Sequence, residues 1–159
     1  MKSARCEEFR NEEGRRKAHQ QLLENEVDAL VVIGGNGTFA GAMHFSKETG
    51  FPVIGLPGTI DNDLSGSDCT IGFDTATNTV VEAVDKIRDT ADSHNRLFFV
   101  EVMGRDSGFI ALHSGIATGA VAVMTHETGI SIEELVKILG VGQASNKTSS
   151  IVIVSEGHP

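Results

Sequence analysis

The stretch Asp28-Ala29-Leu30-Val31-Val32-Ile33-Gly34-Gly35-Asn36-Gly37-Thr38 decides the fold. Its first half is apolar and β-branched, the composition of a strand buried on both faces. The run ends abruptly in glycines at 34, 35 and 37, and helix-compatible sequence follows. A strand that passes through a Gly-rich turn into a helix is one unit of an alternating α/β chain.

The same alternation extends in both directions. Pro52–Leu56, Arg96–Val102, Ala120–Met124 and Ser150–Val154 read as four more buried strands. Helical stretches separate them. Residues 12 to 25 place Ala18, Leu22 and Leu23 at helical spacing, and residues 74 to 91 carry an apolar stripe of Ala76, Val80, Ala83, Val84 and Ile87. Asp74 or Thr75 is the expected cap of that helix. Residues 107 to 118 and 131 to 139 read as two further helices. Ser131 followed by Glu134 has the spacing of a capping box. The predicted fold is α/β: a doubly wound, mainly parallel sheet with helices on both faces. In such sheets ligands bind beyond the carboxyl ends of the strands, so the loops after the strands are where chemistry is expected.

Composition narrows the function classes. The net charge of −9 argues against nucleic acid as a partner, because a phosphate backbone demands clustered Lys and Arg. No apolar run approaches the roughly 20 residues of a membrane span. The charged N-terminal stretch has no apolar secretion-signal core, so a cytoplasmic location is expected. Cys6 and Cys69 are expected to be free thiols there.

Three loops carry unusual residues. Gly35, Asn36, Gly37 and Thr38 follow the first strand. They suit either a phosphate cradle at a helix N-terminus or a tight turn needing positive φ. Pro57-Gly58-Thr59-Ile60-Asp61-Asn62-Asp63 follows the second strand. Asp61 and Asp63, two apart, would point the same way in an extended loop. Close carboxylates repel, which suits a general base beside a magnesium-side acid, or else a solvated acidic turn. Met103-Gly104-Arg105 follows the third strand and brings an arginine, either a phosphoryl-charge stabiliser or a surface ion-pair partner. Cradle, base with metal, and cation together are the set that phosphoryl transfer needs.

PGTIDND at 57–63, Thr70-Ile71-Gly72-Phe73-Asp74-Thr75-Ala76 and Met103-Gly104-Arg105 resemble 6-phosphofructokinases of the ATP-dependent type. Ser3-Ala4-Arg5 and Ser155-Glu156-Gly157 extend the likeness to both ends. The resemblance implies a Rossmann-like phosphofructokinase fold. It also implies transfer of a phosphoryl group from ATP, with Mg²⁺, to fructose 6-phosphate, giving fructose 1,6-bisphosphate in glycolysis. By position, Asp61 matches the catalytic base, Thr59 a substrate-contacting neighbour, and Arg105 the stabiliser of the transferring group. Asp63 and the residue at Asn36 match the metal side. Met103, Gly104 and Glu156 match the sugar site, and Arg96 matches an arginine that reaches a neighbouring subunit's 6-phosphate. Arg5, Cys6 and Gly35 to Thr38 match nucleotide-binding segments. A homo-oligomer, dimer or tetramer, is implied for the full-length protein.

The resemblance also sets expectations about differences. Pyrophosphate-dependent members typically have Asp at the position of Gly37 and Lys at that of Gly58, so two glycines here imply room for ATP. The family's glycine loop normally reads GGDG, and Asn36 replaces its acid. Mg²⁺ favours anionic oxygen, so weaker metal binding is expected. Val121 replaces the Glu of effector-responsive bacterial members, although Arg88 matches one basic residue of that effector site. The family's subunit is longer than this chain. Residues 1–159 are therefore expected to be part of a catalytic domain, without its N-terminal Gly-rich strand-turn and its C-terminal half. A non-catalytic phosphate-binding or assembly module of the same fold is the alternative.

Overall fold

A computed structural model describes residues 5–94, 96–144 and 150–158. Ser3, Ala4 and Pro159 lie outside them. The chain divides into two compact units, Met1–Gly58 and Thr59–Pro159.

The first unit runs from a short 3-10 turn (Glu8–Arg10) through α1 (Glu12–Glu24), β1 (Leu30–Gly34) and α2 (Asn36–Thr49) into β2 (Val53–Thr59). β1 and β2 are parallel, in register from Leu30 opposite Val53 to Gly34 opposite Pro57. α2 stops where Gly50 turns left-handed at φ 70°, and the Gly50 amide bonds back to the Ser46 carbonyl. Phe45 and Phe51 form the core, with the rings of Phe9 and His19 packed edge-on or tilted against them. Arg15, not the expected Leu23, is the buried residue of α1. Its guanidinium makes a two-pronged contact with Glu48 at 2.6 and 2.7 Å and also donates to the carbonyls of Phe9 and Arg10. The preceding turn is thereby fastened beside α2.

The second unit continues with β3 (Ile71–Gly72), α3 (Phe73–His94), β4 (Leu97–Val102), α4 (Phe109–Thr118), β5 (Ala122–Met124), α5 (Ile132–Ala144) and β6 (Ser150–Ser155). β6 lies between β4 and β5 and is parallel to each. The continuous apolar run Ile151–Val154 suits a central strand, because both of its faces are covered. Ile151 and Ile153 pack with Phe73 and Val84 of α3 and Ile110 of α4, whereas Val152 packs with Leu135 of α5 on the other face. Helices on both faces of a parallel sheet are what the alternating sequence predicts. The short β3, missed in the sequence pattern, leads directly into α3.

Several expectations are corrected. Within the first unit β1 pairs with β2, and within the second the order is β4-β6-β5. Only β6 is buried on both faces over its length. Val31, Ile54 and Phe99 are 60%, 63% and 55% exposed. An apolar run therefore marks these strands, but one face of each is left uncovered by its neighbours in the chain. α3 starts at Phe73, so Asp74 lies within its first turn. There it complements the helix dipole and accepts from the Asn78 side chain instead of capping. The capping box holds: the Glu134 carboxylate accepts from the Ser131 amide at 3.0 Å, and the Ser131 hydroxyl accepts from the Glu134 amide at 3.2 Å. Among the described residues, no helix is long and apolar enough to cross a membrane.

Candidate active site

In the first unit, β1 delivers the glycine loop to the start of α2. Gly35 is the N-cap in an extended conformation (φ −98°, ψ −161°), and the Phe39 amide closes on its carbonyl. None of Gly34, Gly35 and Gly37 has positive φ, so the left-handed tight turn is ruled out. The glycines serve close approach instead. A Cβ on Gly34 would stand 2.3 Å from Thr38 Oγ1, so Thr38 is seated directly over the end of the strand. A Cβ on Gly37 would meet nothing within 4 Å. Gly35, the N-cap, has no side chain to cap α2, and the first turn, Asn36 to Thr38, carries the positive end of the helix dipole. This is the geometry of an anion cradle.

Gly58 packs closely against the neighbouring strand: a Cβ there would lie 2.7 Å from Ile33 Cγ2 and 3.3 Å from the Gly34 amide nitrogen, so the Ile33 side chain would have to shift to admit one. The glycine at 37 borders open space. Arg5 and Cys6 are exposed and precede the turn whose Phe9 ring packs on Phe45 and Gly41 of α2.

In the second unit, three loop segments converge beyond the carboxyl ends of the strands. The first carries Thr59, Asp61 and Asp63. It is not extended: Asn62 sits left-handed at φ 53°, a conformation asparagine tolerates. The Asn62 side chain pins it. Its Oδ1 accepts from the Thr70 amide at 2.8 Å and from the Thr70 hydroxyl at 3.2 Å, and Thr70 also donates to the Thr59 carbonyl at 2.7 Å. The second segment carries Met103, Gly104 and Arg105. Gly104 has φ 142°, and a Cβ there would stand 2.4 Å from the Ser107 carbonyl oxygen, so only glycine fits. Arg105 is itself left-handed at φ 53°. The third segment is Glu156 at the end of β6. One of its carboxylate oxygens accepts from the Gly104 amide at 3.1 Å and the Arg105 amide at 2.5 Å. The Ser107 hydroxyl donates to the Asp61 carbonyl at 2.9 Å and so joins the first segment to the second.

Asp61 and Arg105 meet loosely, with Arg105 Nε 4.0 Å from Asp61 Oδ2; the Asp61 side chain is 15% exposed and that of Arg105 64%. Partial burial raises the Asp61 pKa above the usual aspartate value, and the negative charges of Asp63 and Glu156 push it further up. The Thr59 hydroxyl and the Arg105 guanidinium act in the opposite sense. The net direction is upward, toward what a proton acceptor needs.

Arg96 is not part of this cluster. It precedes β4, at the opposite end of the strand from Met103–Arg105, and is exposed. Arg88 on α3 donates to the Thr118 carbonyl at the end of α4, and the Val121 amide bonds to the Ile151 carbonyl. Sequence reasoning missed Asn62, Thr70, Ser107, His126 and Glu127. Asn62 and Thr70 lie inside the quoted motifs, and a mid-loop Asn between two acids suits a left-handed position; Ser107, His126 and Glu127 had no signal.

An acid of raised pKa, an arginine and a second carboxylate thus gather beyond the carboxyl edge of a parallel sheet, where α/β folds bind their ligands. The chain belongs to the phosphofructokinase family, whose sequence model matches residues 1–159. It is 54% identical over 158 residues to ATP-dependent 6-phosphofructokinase 2 of Bacteroides thetaiotaomicron, covering 99% of this chain and 48% of that one. It is 55% identical over 158 residues to ATP-dependent 6-phosphofructokinase of Cytophaga hutchinsonii, again covering 99% and 48%. Among solved structures, phosphofructokinase from Saccharomyces cerevisiae superposes with a TM-score of 0.88 at 36% identity, over 98% of this chain and 24% of that one. The chain spans about half the length of the curated relatives it matches.

Proposed function

We propose that this chain supplies the base and the phosphoryl-stabilising arginine for ATP-dependent phosphorylation of fructose 6-phosphate to fructose 1,6-bisphosphate. The observation that carries the reading is the Asp61–Arg105 pair, an acid of raised pKa 4.0 Å from an exposed guanidinium. Ionised Asp61 accepts the proton of the sugar's 1-hydroxyl as that oxygen attacks the γ-phosphorus, and ADP departs. Arg105 offsets the charge on the phosphoryl oxygens during transfer. Thr59 tunes and orients Asp61. Met103, Gly104 and Glu156 border the sugar. Arg96, remote from this cluster, suits a contact across a subunit boundary in a homo-oligomer. Arg5, Cys6 and the cradle of Gly35, Asn36, Gly37 and Thr38 serve the nucleotide phosphates.

Mg²⁺ fits as an ion brought with the nucleotide. This chain offers one carboxylate, Asp63, and one neutral oxygen, Asn36, and no cluster of three or more ligating side chains exists among the described residues. Mg²⁺ keeps waters and phosphate oxygens readily, so it needs few protein oxygens, and its affinity is then modest. When bound, the ion neutralises charge on the phosphate oxygens. Asn36→Asp is expected to lower the Mg²⁺ concentration needed for half-maximal rate by roughly tenfold, because a charged oxygen replaces a neutral one. A magnesium titration of both proteins at fixed ATP measures this; superimposable curves would overturn the metal role of position 36.

The donor is tested by offering fructose 6-phosphate with ATP or with pyrophosphate and following bisphosphate formation. Faster turnover with ATP is expected, since Gly37 borders open space. Faster turnover with pyrophosphate sinks the donor assignment. The uncharged Asn36 favours a second reading, a phosphate-binding module without turnover. ATP binding with no bisphosphate formed from either donor is the outcome that selects it.

A further inference from the structure

The turn after β5, residues Thr125 to Thr128, touches two of the loops that build the candidate site, and neither the motif nor the family match gives it a task. Glu127 Oε1 accepts from the Gly108 amide at 2.8 Å. Gly108 is the N-cap of α4 and follows the Arg105 loop directly. A Cβ at 108 would lie 2.5 Å from Glu127 Oε2 and 2.5 Å from Thr125 Cβ, so glycine is what lets the carboxylate sit over the helix start. The position is favourable for an anion: Gly108 has no side chain to cap α4, the Ser107 hydroxyl reaches only the Phe109 amide at 3.5 Å, and the helix dipole is positive there. The Gly108 amide and the Thr125 hydroxyl hold the Glu127 carboxyl below its usual pKa range, in line with that geometry. The turn itself is rigid: the Thr125 amide donates to the Thr128 hydroxyl at 3.1 Å, and the Thr128 amide donates to the Thr125 hydroxyl at 3.2 Å. One residue before Glu127, His126 Nδ1 lies 3.2 Å from the Gly157 carbonyl, next to Glu156.

We propose that Glu127 is a positioning residue for Arg105. Its carboxylate clamps the C-terminal end of the 103–108 loop, while Glu156 clamps the N-terminal end and His126 ties the Glu156 segment to the same turn. Gly104 and Arg105 both have positive φ, and the loop closes on itself with one backbone bond, the Ser107 amide to the Gly104 carbonyl at 2.9 Å, so external bonds carry much of its geometry. Losing the Glu127 bond frees the Ser107–Gly108 hinge and lets the guanidinium drift from Asp61. Asp61 and Arg105 have their chemical roles from the proposed phosphoryl transfer, and the inference rests on that reading for its consequence in rate. The clamp itself is testable without it.

Amide hydrogen exchange on the wild-type chain, Glu127→Leu and Glu127→Gln tests the clamp directly. In the wild type the Gly108 amide is expected to be protected, although it opens a helix. In Glu127→Leu, exchange at Gly104, Arg105 and Gly108 rises about tenfold or more, as expected for a loop that now opens locally. The amide of Val152 in the centre of β6 keeps its protection. Glu127→Gln, whose side-chain carbonyl still accepts from Gly108, restores most of the protection. Where bisphosphate formation is measurable, the turnover number falls about tenfold in Glu127→Leu, since small misplacements of a catalytic group are costly, and recovers in Glu127→Gln. An unprotected Gly108 amide in the wild type, or exchange at Gly104 and Arg105 unchanged in Glu127→Leu, overturns the clamp whatever the chain's activity. A clamp seen by exchange with no bisphosphate formed by the wild type counts against the proposed function alone.

Discussion

Asp61→Asn is expected to lower the turnover number about 10³-fold, within the range a positioned general base contributes. Asparagine has nearly the same shape, so the backbone bonds at this residue survive: the Asp61 amide to the Thr59 hydroxyl and the Ser107 hydroxyl to the Asp61 carbonyl. Stability is expected to stay near that of the parent, and the Michaelis constant for the sugar phosphate to change little. The pH profile supplies the second half of the prediction. A base works only when ionised, so the rate falls as pH drops through the pKa of Asp61. Burial, Asp63 and Glu156 raise that pKa, which places the acid limb above the usual aspartate range. Asp63→Asn removes one of the raising charges and moves the limb to lower pH. Steady-state rates from acid to neutral pH check both. A turnover number unchanged in Asp61→Asn would remove this residue from the mechanism.

Arg105→Ala is expected to cost a comparable factor, about 10²–10³-fold in turnover, the loss typical of removing one preorganised group that stabilises transition-state charge. Arg105→Lys does not restore it, because a point charge does not reproduce the planar fork. The loss is catalytic and not structural. Arg105 is largely exposed and its contact with Asp61 is 4.0 Å long, so the ion pair contributes little to stability. The melting temperature is therefore expected to stay within a few degrees of the parent. Removing the guanidinium also removes a charge that lowers the Asp61 pKa, so the acid limb moves to higher pH in Arg105→Ala. Loss of rate with the limb unmoved would mean that the two groups do not share a site.

The Glu127 clamp connects these predictions to the fold. The turn that holds Glu127 is anchored by β5, a three-residue strand paired with the buried β6. In that proposal Arg105 is held by the centre of the sheet through a chain of hydrogen bonds, in addition to the Ser107–Gly104 bond of its own loop.

The sequence by itself determined what depends on near neighbours along the chain. Helix periodicity, the Ser131–Glu134 capping box and the alternation of strand and helix are encoded within a few residues, and the structure contains them. It also determined that the chemical residues follow strands, because a parallel sheet brings its carboxyl-end loops to one edge. Only the tertiary structure decided which strand faces are covered. An apolar run at 28–33 reads like the one at 150–154, yet β6 has helices on both sides and β1 does not. The tertiary structure alone also joined Gly104 to Glu156, 52 residues away, Ser107 to Asp61, 46 away, and Gly108 to Glu127, 19 away. Such partners are set by which strands lie side by side, and no local pattern carries that information. Gly58 makes the same point: its close approach to the Ile33 side chain on the neighbouring strand is set by strand pairing, not by its own neighbours in sequence.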